Sequence, residues 1–261
     1  MVDWTAIALG MVEGITEFLP VSSTGHLLIA EYWLGRRSDM FNVVIQAGAM
    51  LAVTIMYWRR LVTLATGWQE PENRAYVGKL AVAFLITVVL GLVAKKLGII
   101  LPETLAPVAW ALIIGGFWMI MAEWFAARQN DRLEVTWTVA IVVGVAQIVA
   151  GIFPGTSRSG ATIFAAMLAG TTNRSAATEF AFLVGIPTMY AASFYELYGQ
   201  LKQGSGYEQW WSLSTALVVS TVTAFIAVKW LLGYIKSHRF TAFAVYRILL
   251  GAGLLGFALL R

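Results

Sequence analysis

Long apolar runs separated by short polar segments dominate this chain. Six of the runs carry few or no charged residues, and they occupy 41–58, 80–94, 104–122, 180–195, 209–228 and 240–260. With its flanking residues, each run reaches the roughly 20 residues that an α-helix needs to cross a bilayer. The pattern therefore predicts six membrane-spanning helices.

Two further apolar stretches, 4–34 and 135–170, are each interrupted near the middle. The interruptions, at 19–25 and 153–160, contain a proline and several hydroxyl side chains. Proline has no backbone N–H and disfavours helix in the residue before it. Polar turns at membrane depth are tolerated only where they line a cavity. Each stretch therefore predicts a re-entrant hairpin of two short helices.

The two interrupted stretches resemble each other at an offset of 134 residues. Glu13 aligns with Gln147, Pro20 with Pro154 and Ser23 with Ser157, and three apolar runs follow each interruption. Because three membrane crossings separate the two hairpins, the hairpins would enter from opposite faces of the membrane. The two halves of the chain would then have opposite topology, which defines an inverted repeat. We expect an all-α polytopic protein with one membrane domain, 1–261, divided into repeats 1–127 and 128–261.

Composition supports a membrane protein and excludes several other classes. Charged residues make up 12% of the chain, hydrophobic residues 59%, and cysteine is absent. A soluble domain has about 25% charged residues. The net charge of +4 lacks basic clusters, so no nucleic-acid partner is expected. Asp3 and two glutamates in the first apolar stretch argue against a cleavable signal peptide.

Charge asymmetry gives the orientation. In the predicted topology nine basic residues lie on one face, against six on the other. The nine are Arg59, Arg60, Arg74, Lys79, Arg128, Arg132, Arg174, Lys236 and Arg239. The positive-inside rule makes this face cytoplasmic, so both termini are expected outside.

The segment 13–26 contains the first cluster of side chains that could bind a ligand or take part in catalysis. Glu13 and Glu17 share a helix face and would repel each other unless a cation or proton lies between them. Ser22 or Ser23 can cap the next helix, whose N-terminal amides suit an anion. A polar face of an interfacial helix is the simpler interpretation of the glutamates. His26 is either a structural hydrogen-bonding group or, three residues after Ser23, a partner in proton exchange.

The segment 154–162 contains the second cluster of side chains that could bind a ligand or take part in catalysis. Ser157, Ser159 and Thr162 supply hydroxyls, and Arg158 supplies a charged fork suited to phosphate oxygens. A broken helix with Arg158 at an interface is the simpler interpretation, but a buried arginine without a partner costs several kcal/mol.

Other polar residues in the apolar runs are expected to have structural roles. Gln46 and Gln147 are expected to hydrogen-bond across helices, and Arg247 needs a carboxylate, a carbonyl or the cavity. Glu179 should pair with Arg174 or face the site. Two further features are expected at the helix surfaces: Glu123 extending toward the membrane interface, and helix packing through Gly251, Gly253 and Gly256.

The residues alone leave two functions open. Broken helices that meet near the midplane are a transporter architecture, and paired glutamates can couple protons or Na⁺. A secondary transporter or lipid flippase is therefore the alternative to an enzyme. Hydroxyl, arginine and histidine groups around a phosphate-sized site favour the enzyme, because transport does not require them.

The motifs resemble those of the undecaprenyl-diphosphatase family, the bacitracin-resistance proteins. The resemblance is carried by Glu-Gly-x-Thr-Glu-Phe-Leu-Pro-Val-Ser-Ser-Thr-Gly-His at 13–26 and Pro-Gly-x-Ser-Arg-Ser-Gly-Ala-Thr at 154–162. It implies a multi-pass hydrolase of the bacterial inner membrane that acts at the outer face, uses Mg²⁺ or Ca²⁺, and recycles the lipid carrier of peptidoglycan synthesis. The family's site residues fall on Glu13, Glu17, Ser22, Ser23, Thr24, His26, Ser157, Arg158 and Thr162.

Two mechanisms fit this assignment. In the first, Ser23 is the nucleophile, His26 assists proton transfer and Arg158 holds the phosphate. In the second, Glu17 activates water directly. Glu13 and Glu17 are the expected metal ligands in both. The expected partners are a polyprenyl diphosphate, whose tail lies between spans or in a lipid-facing groove, membrane lipids, and a second copy of the chain in a homodimer.

Overall fold

The computed structural model describes residues 3–99, 101, 104–203 and 209–259. These residues form helices joined by short loops, without a β-strand in the described part of the chain. The helices are α1 (Trp4–Thr16), α2 (Ser23–Leu34), α3 (Asp39–Met56), α4 (Trp58–Thr66), α5 (Pro71–Leu97), α6 (Leu105–Ala126), α7 (Trp137–Ile152), α8 (Arg158–Ala169), α9 (Arg174–Gln203), α10 (Trp210–Tyr234) and α11 (Thr241–Leu259).

Six of these helices, α3, α5, α6, α9, α10 and α11, are long and apolar enough to cross a bilayer. They coincide with the six apolar runs, so the predicted spans are confirmed at this level. Residue 260, the end of the sixth predicted run, lies outside the described residues. The short helix α4, which follows α3 directly after Tyr57, was not expected as a separate element.

The two interrupted stretches form the short helices α1 and α2, and α7 and α8. Pro20 lies in the first break, and Ser22 and Ser157 are the N-caps of α2 and α8, with φ of 73° and 69°. Positive φ is strained for a residue with a Cβ. Each cap hydroxyl accepts a hydrogen bond from a glycine amide three residues on, at Gly25 and Gly160.

These matching caps correct the register of the sequence repeat by one residue. The alignment pairs Ser23 with Ser157, whereas the structure makes Ser22 the counterpart of Ser157. Within the preceding helices the offset of 134 holds. A Cβ on Gly10 would lie 2.8 Å from the carbonyl of Ala216, and one on Gly144 would lie 2.8 Å from the carbonyl of Ala83.

Helix packing follows the same correspondence. α1 packs against α10, and α7 packs against α5; α3 contacts both α9 and α10, and α6 packs along α11. Close approach at small residues is typical of helices in membranes, where shape drives association. The two pairs of short helices are thereby held inside the bundle.

The two outer ends of each short-helix pair lie close together. Asp3, the N-cap of α1, forms an ion pair with Arg37, just beyond α2. The backbone N–H of Arg132, before α7, donates to the hydroxyl of Thr172, just beyond α8, at 2.8 Å. The start of α6 lies beside Trp33 of α2, and its far end holds Arg174, so these two places are at opposite ends of α6.

Two expectations about charged residues were wrong. Glu123 does not extend toward an interface; it is buried, and its carboxylate pairs with Arg174 at 2.6 Å and accepts from the backbone N–H of Phe240 at 2.9 Å. Glu179 pairs with Arg60 at 3.0 Å, and Arg174 pairs with Glu123 instead.

Other structural expectations are confirmed in part. The Gln147 amide donates to the Thr87 hydroxyl across helices at 2.9 Å. In the glycine pattern of α11, Gly251 is a close-packing point, since a Cβ there would lie 2.7 Å from the carbonyl of Ala109. Gly253 and Gly256 face open space instead.

Candidate active site

The two breaks meet inside the bundle and are joined by side chains. The Ser159 hydroxyl lies within hydrogen-bond distance of the carbonyls of Glu17, at 3.3 Å, and Leu19, at 3.2 Å. The Arg247 guanidinium donates to the carbonyls of Pro20, at 3.4 Å, and Gly155, at 3.1 Å. Residues that are about 140 positions apart in the chain therefore form one polar centre.

Arg247 holds this centre from α11. Its side chain is 1% exposed, and it also donates to the carbonyls of Ala111 and Leu112 in α6. A buried guanidinium is tolerated when its N–H groups find acceptors. Of the three kinds of partner expected for Arg247, a carboxylate, a carbonyl or the cavity, the structure supplies backbone carbonyls.

A small cavity of about 50 Å³ lies between the two breaks. It is lined by Glu17, Ser22, Ser23, Thr24, Gln46, Ala150, Gly155, Ser157 and Arg158. The first turns of α2 and α8 both contribute, and helix N-termini present amides to an anion. The cavity thus combines one carboxylate, several hydroxyls and one guanidinium, which is a donor set suited to a phosphate group.

Glu17 and Ser23 form the shortest contact at this site. The Ser23 hydroxyl donates to Glu17 Oε2 at 2.5 Å, and Glu17 is buried. A short hydrogen bond to a carboxylate is a strong one. In this position Glu17 can accept the Ser23 proton, so the pair has the geometry of a nucleophile and its base.

A larger cavity of about 400 Å³ adjoins the small one. It shares Ser23, Thr24 and Gln46 with the small cavity and adds Glu13 and the aliphatic side chains Leu27 and Leu28. Its remaining lining includes Glu31, Arg36, Asp39, Asn42 and Glu196. A mixed polar and apolar wall of this kind suits a ligand with a charged head and an apolar body.

The structure gives His26 partners other than Ser23. Its Nδ1 lies 2.7 Å from the carbonyl of Ser22, which can only accept, so Nδ1 carries the proton. Its Nε2 lies 2.6 Å from the hydroxyl of Tyr246, and in a neutral ring Nε2 accepts a hydrogen bond from that hydroxyl. Both nitrogens are therefore engaged, and the Ser23 hydroxyl contacts Glu17 instead.

Three of the expected phosphate-binding hydroxyls also hold their own helices. Ser22 and Ser157 line the small cavity and cap α2 and α8. Thr162 is buried in α8, and its hydroxyl donates to the carbonyl of Arg158 at 2.8 Å. This contact supports the first turn of α8; contact of Thr162 with phosphate stays a prediction.

The positions of Glu13 and Glu17 indicate whether these two carboxylates could hold a divalent cation. Mg²⁺ is usually held by one or two carboxylates together with water and substrate phosphates, and a full protein ligand set is not needed. Glu13 and Glu17 line the two adjoining cavities. The described residues contain no group of three or more His, Cys, Asp or Glu that could hold a metal ion without such help. The pair fits a metal that binds together with phosphate.

Three residues near the site were not among the expected site residues. Gln46 lines both cavities, Tyr246 contacts His26, and Arg247 joins the breaks. Each lies in an apolar run, where Gln46 and Arg247 were noted as polar groups in need of partners. That signal marked them as unusual, but it did not show which partners they would meet.

Comparison with known proteins gives a consistent match. The family model described as bacitracin resistance protein BacA matches residues 6–253. The chain is 72% identical over 254 residues to the undecaprenyl-diphosphatase of Rhizobium etli (strain CIAT 652), covering 97% of this chain and 96% of the relative. It is 63% identical over 252 residues to the undecaprenyl-diphosphatase of Xanthomonas euvesicatoria pv. vesicatoria (strain 85-10), covering 96% and 95%. With these matches over nearly its whole length, the chain belongs to the bacitracin resistance protein BacA family.

Proposed function

We propose that this protein is an integral-membrane phosphatase that hydrolyses undecaprenyl diphosphate to undecaprenyl phosphate and inorganic phosphate. Relatives that are 62–72% identical over nearly the whole chain carry the name undecaprenyl-diphosphatase. The structural observation that best supports this function is the small cavity. In it Ser23, which is hydrogen-bonded to Glu17, lines the same space as Arg158. This arrangement suits phosphoryl transfer, which depends on positioning and charge stabilisation.

In the first step, Ser23 attacks the terminal phosphorus of the diphosphate. The Ser23 proton passes to Glu17 as the new Oγ–P bond forms. The bridging P–O bond breaks, and undecaprenyl phosphate leaves with the proton that Glu17 took from Ser23, so Glu17 is ionised again. Arg158 and the first-turn amides of α2 and α8 stabilise the charge on the phosphate oxygens.

In the second step, water hydrolyses the phosphoseryl group. Glu17 takes a proton from the attacking water and returns it to Ser23 Oγ as the P–Oγ bond breaks, so that inorganic phosphate is released with the Ser23 hydroxyl restored. The competing mechanism has Glu17 activate water for direct attack on the diphosphate. The hydrogen bond of 2.5 Å between Ser23 and Glu17 supports attack by Ser23, because the base Glu17 is already engaged by the Ser23 hydroxyl.

A divalent cation, Mg²⁺ or Ca²⁺, completes the proposed site. When bound, it would neutralise phosphate charge. Glu13 and Glu17 are the side chains that would hold it, and the larger cavity beside Glu13 leaves room for its water ligands.

We also infer that the two short-helix pairs are re-entrant and that the fold is an inverted repeat. The Asp3–Arg37 ion pair supports this for the first pair, because both of its outer ends then lie on one face. The contact of Arg132 with Thr172 supports it for the second pair, at the opposite end of α6. The exchange of partners, α1 with α10 and α7 with α5, agrees with a pseudo-twofold axis in the membrane plane.

The proposed location is the bacterial inner membrane, with the active site open to the outer face. The larger cavity lies beside the loop between α2 and α3, which contains Arg36. The positive-inside rule assigns this face to the outside, since the basic loops at Arg59, Arg128 and Arg239 lie on the other. A homodimer remains compatible with this arrangement.

The test is phosphate release from a detergent-solubilised isoprenoid diphosphate, with and without chelator. Glu17→Gln, Ser23→Ala and Arg158→Met remove the base, the nucleophile and the anion-binding cation in turn. Glu72→Gln, in the exposed first turn of α5, is the matched carboxylate control. We expect metal-dependent release by the wild type and the control, and a loss of at least a hundredfold in the three site variants.

Each other outcome has a definite meaning. Activity in Ser23→Ala with loss in the other two variants would keep the phosphatase and make water the nucleophile. Unchanged release in the presence of chelator would remove the metal from the proposal. No release by folded wild-type protein would contradict the phosphatase and lead to a lipid-transport assay.

A further inference from the structure

An apolar groove of about 690 Å³ lies on the flank of the bundle formed by α2, α6 and α11. Ile29 and Tyr32 of α2 form one wall, Leu105 and Ala106 of α6 another, and Phe257 of α11 closes the side. The rings of Tyr32 and Phe257 meet edge to face, with centroids 5.9 Å apart. The volume falls within the range of about 300–1,000 Å³ that is typical of ligand pockets.

The groove is continuous with the proposed active site. Leu28 and Tyr32 line both the groove and the larger cavity, and that cavity also contains Ser23 and Thr24. Along α2 the side chains therefore pass from the proposed reacting hydroxyl, through a mixed cavity, to a largely apolar wall. A ligand held by its phosphate at Ser23 has an uninterrupted path into the groove.

We propose that this groove binds the isoprenyl units nearest the diphosphate and so selects for the length of the prenyl chain. The proposal rests on the phosphatase function proposed above. It commits to an isoprenyl chain tethered to the bound head group, and a free acyl chain of the bilayer is the competing occupant.

Tethering decides between these occupants. Lipid tails are as apolar as the groove walls, so no hydrophobic gain favours one apolar chain over another inside the bilayer. A prenyl chain whose diphosphate is already bound enters the groove in an intramolecular step, with the high effective concentration that such a link gives. Shape and contact with Tyr32 and Phe257 then add affinity that a short chain cannot reach.

Geometry sets which part of the substrate is bound. Leu28 lies five residues after Ser23, roughly 7.5 Å along α2 at 1.5 Å per residue. A chain of one or two isoprene units only begins to enter the groove, whereas a longer chain fills it and continues into the bilayer. The wild-type preference should therefore rise with chain length until the groove is full.

The experiment narrows the groove with tryptophan and compares two substrates. Ala106 is exposed in the α6 wall, so Ala106→Trp fills the groove without displacing core. Ala258→Trp fills it from α11 and is the second variant. Val222→Trp, on the exposed face of α10, adds the same ring elsewhere. kcat/KM is measured in detergent with undecaprenyl diphosphate and with geranyl diphosphate.

We expect Ala106→Trp and Ala258→Trp to lower kcat/KM for undecaprenyl diphosphate at least tenfold while geranyl diphosphate stays within twofold of wild type. Val222→Trp should leave both values unchanged. Equal loss for both substrates, or no change in either, would overturn the proposal; no change would mean that the prenyl chain does not occupy the groove, which is then left to a lipid acyl chain. A wild type that hydrolyses neither substrate would overturn the phosphatase itself, which separates the two failures.

Discussion

At the scale of single residues, His26 is a positioning group in the present geometry. Its Nδ1 donates to the carbonyl of Ser22, the residue that caps α2 beside the proposed nucleophile Ser23. An asparagine side chain can place an N–H near the position of Nδ1, whereas glutamine reaches toward that of Nε2. The two substitutions therefore separate the role of the donor from that of a titratable ring.

We predict that His26→Asn keeps phosphate release within about tenfold of wild type, the equivalent of one hydrogen bond of roughly 1.4 kcal/mol. His26→Gln and His26→Ala should lose substantially more. The measurement is kcat across pH for the three variants. If His26→Asn were as inactive as His26→Ala, His26 would instead transfer protons.

Arg247 has a structural role that differs from that of Arg158. Arg247 joins the carbonyls of Pro20 and Gly155 while fully buried, whereas Arg158 lines the small cavity. Removing the guanidinium leaves buried carbonyls without a donor, at about 1–3 kcal/mol for each. We predict that Arg247→Met lowers both Tm and activity, and that Arg158→Met abolishes activity with Tm unchanged.

Thermal unfolding in detergent, followed with the activity assay, distinguishes the two arginines. Arg247→Lys is the intermediate case, because a lysine keeps the charge but cannot reach four carbonyls with one ammonium group. A Tm for Arg247→Met equal to that of wild type would show that the two breaks hold together without it.

The site residues could be predicted from the sequence to different depths. The paired glutamates, the serine cluster and Arg158 were evident because polar residues are costly in apolar runs. Their contacts were not, since the Ser23–Glu17 hydrogen bond and the Arg247 contacts join residues on separate elements. The partner of His26, Tyr246, is 220 positions away, and no local pattern in the sequence pairs the two residues.

At the scale of helices, hydrophobic run length predicted the spans well. Length and charge content suffice because a bilayer imposes one thickness on every crossing helix. Finer features were not predicted correctly where tertiary contacts determine them. These are the register that matches the cap Ser22 with the cap Ser157, the separate helix α4, and the burial of Glu123 with Arg174. These depend on which helix faces which.

The α6–α11 contact offers a matched pair of glycines on one helix. A Cβ at Gly251 would lie 2.7 Å from the carbonyl of Ala109, whereas Gly253 has no atom within 4 Å. We predict that Gly251→Ala destabilises by about 1–3 kcal/mol through overpacking. Gly253→Ala should be neutral or stabilise by up to about 1 kcal/mol, because alanine lowers the entropy of the unfolded chain.

Equilibrium unfolding of both variants in the same detergent tests this difference. Gly251→Ala should also lower activity, since pushing α11 from α6 moves Arg247 away from Leu112. Equal stability of the two variants would mean that α6 and α11 separate without cost.

At the scale of the whole molecule, the proposed inverted repeat would explain why two polar breaks face each other. Two hairpins that enter from opposite faces meet tip to tip, so each contributes a helix N-terminus to one cavity. A single kinked span in place of either hairpin would put its two outer ends on opposite faces. The location of the loops therefore tests the architecture directly.

The chain has no cysteine, so single cysteines can report the face of each loop. We predict that Arg36→Cys and Ile99→Cys react with a membrane-impermeant thiol reagent in intact spheroplasts, because the proposed orientation puts the loops after α2 and α5 outside. Gln69→Cys and Ser237→Cys, in exposed positions at the other end of the bundle, should react only after permeabilisation. Phosphate release by each variant confirms its fold. Reaction of position 36 only after permeabilisation would reverse the proposed orientation and the opening of the active site. Reaction of position 237 in intact spheroplasts, with position 69 still protected, would make the second stretch a single kinked span.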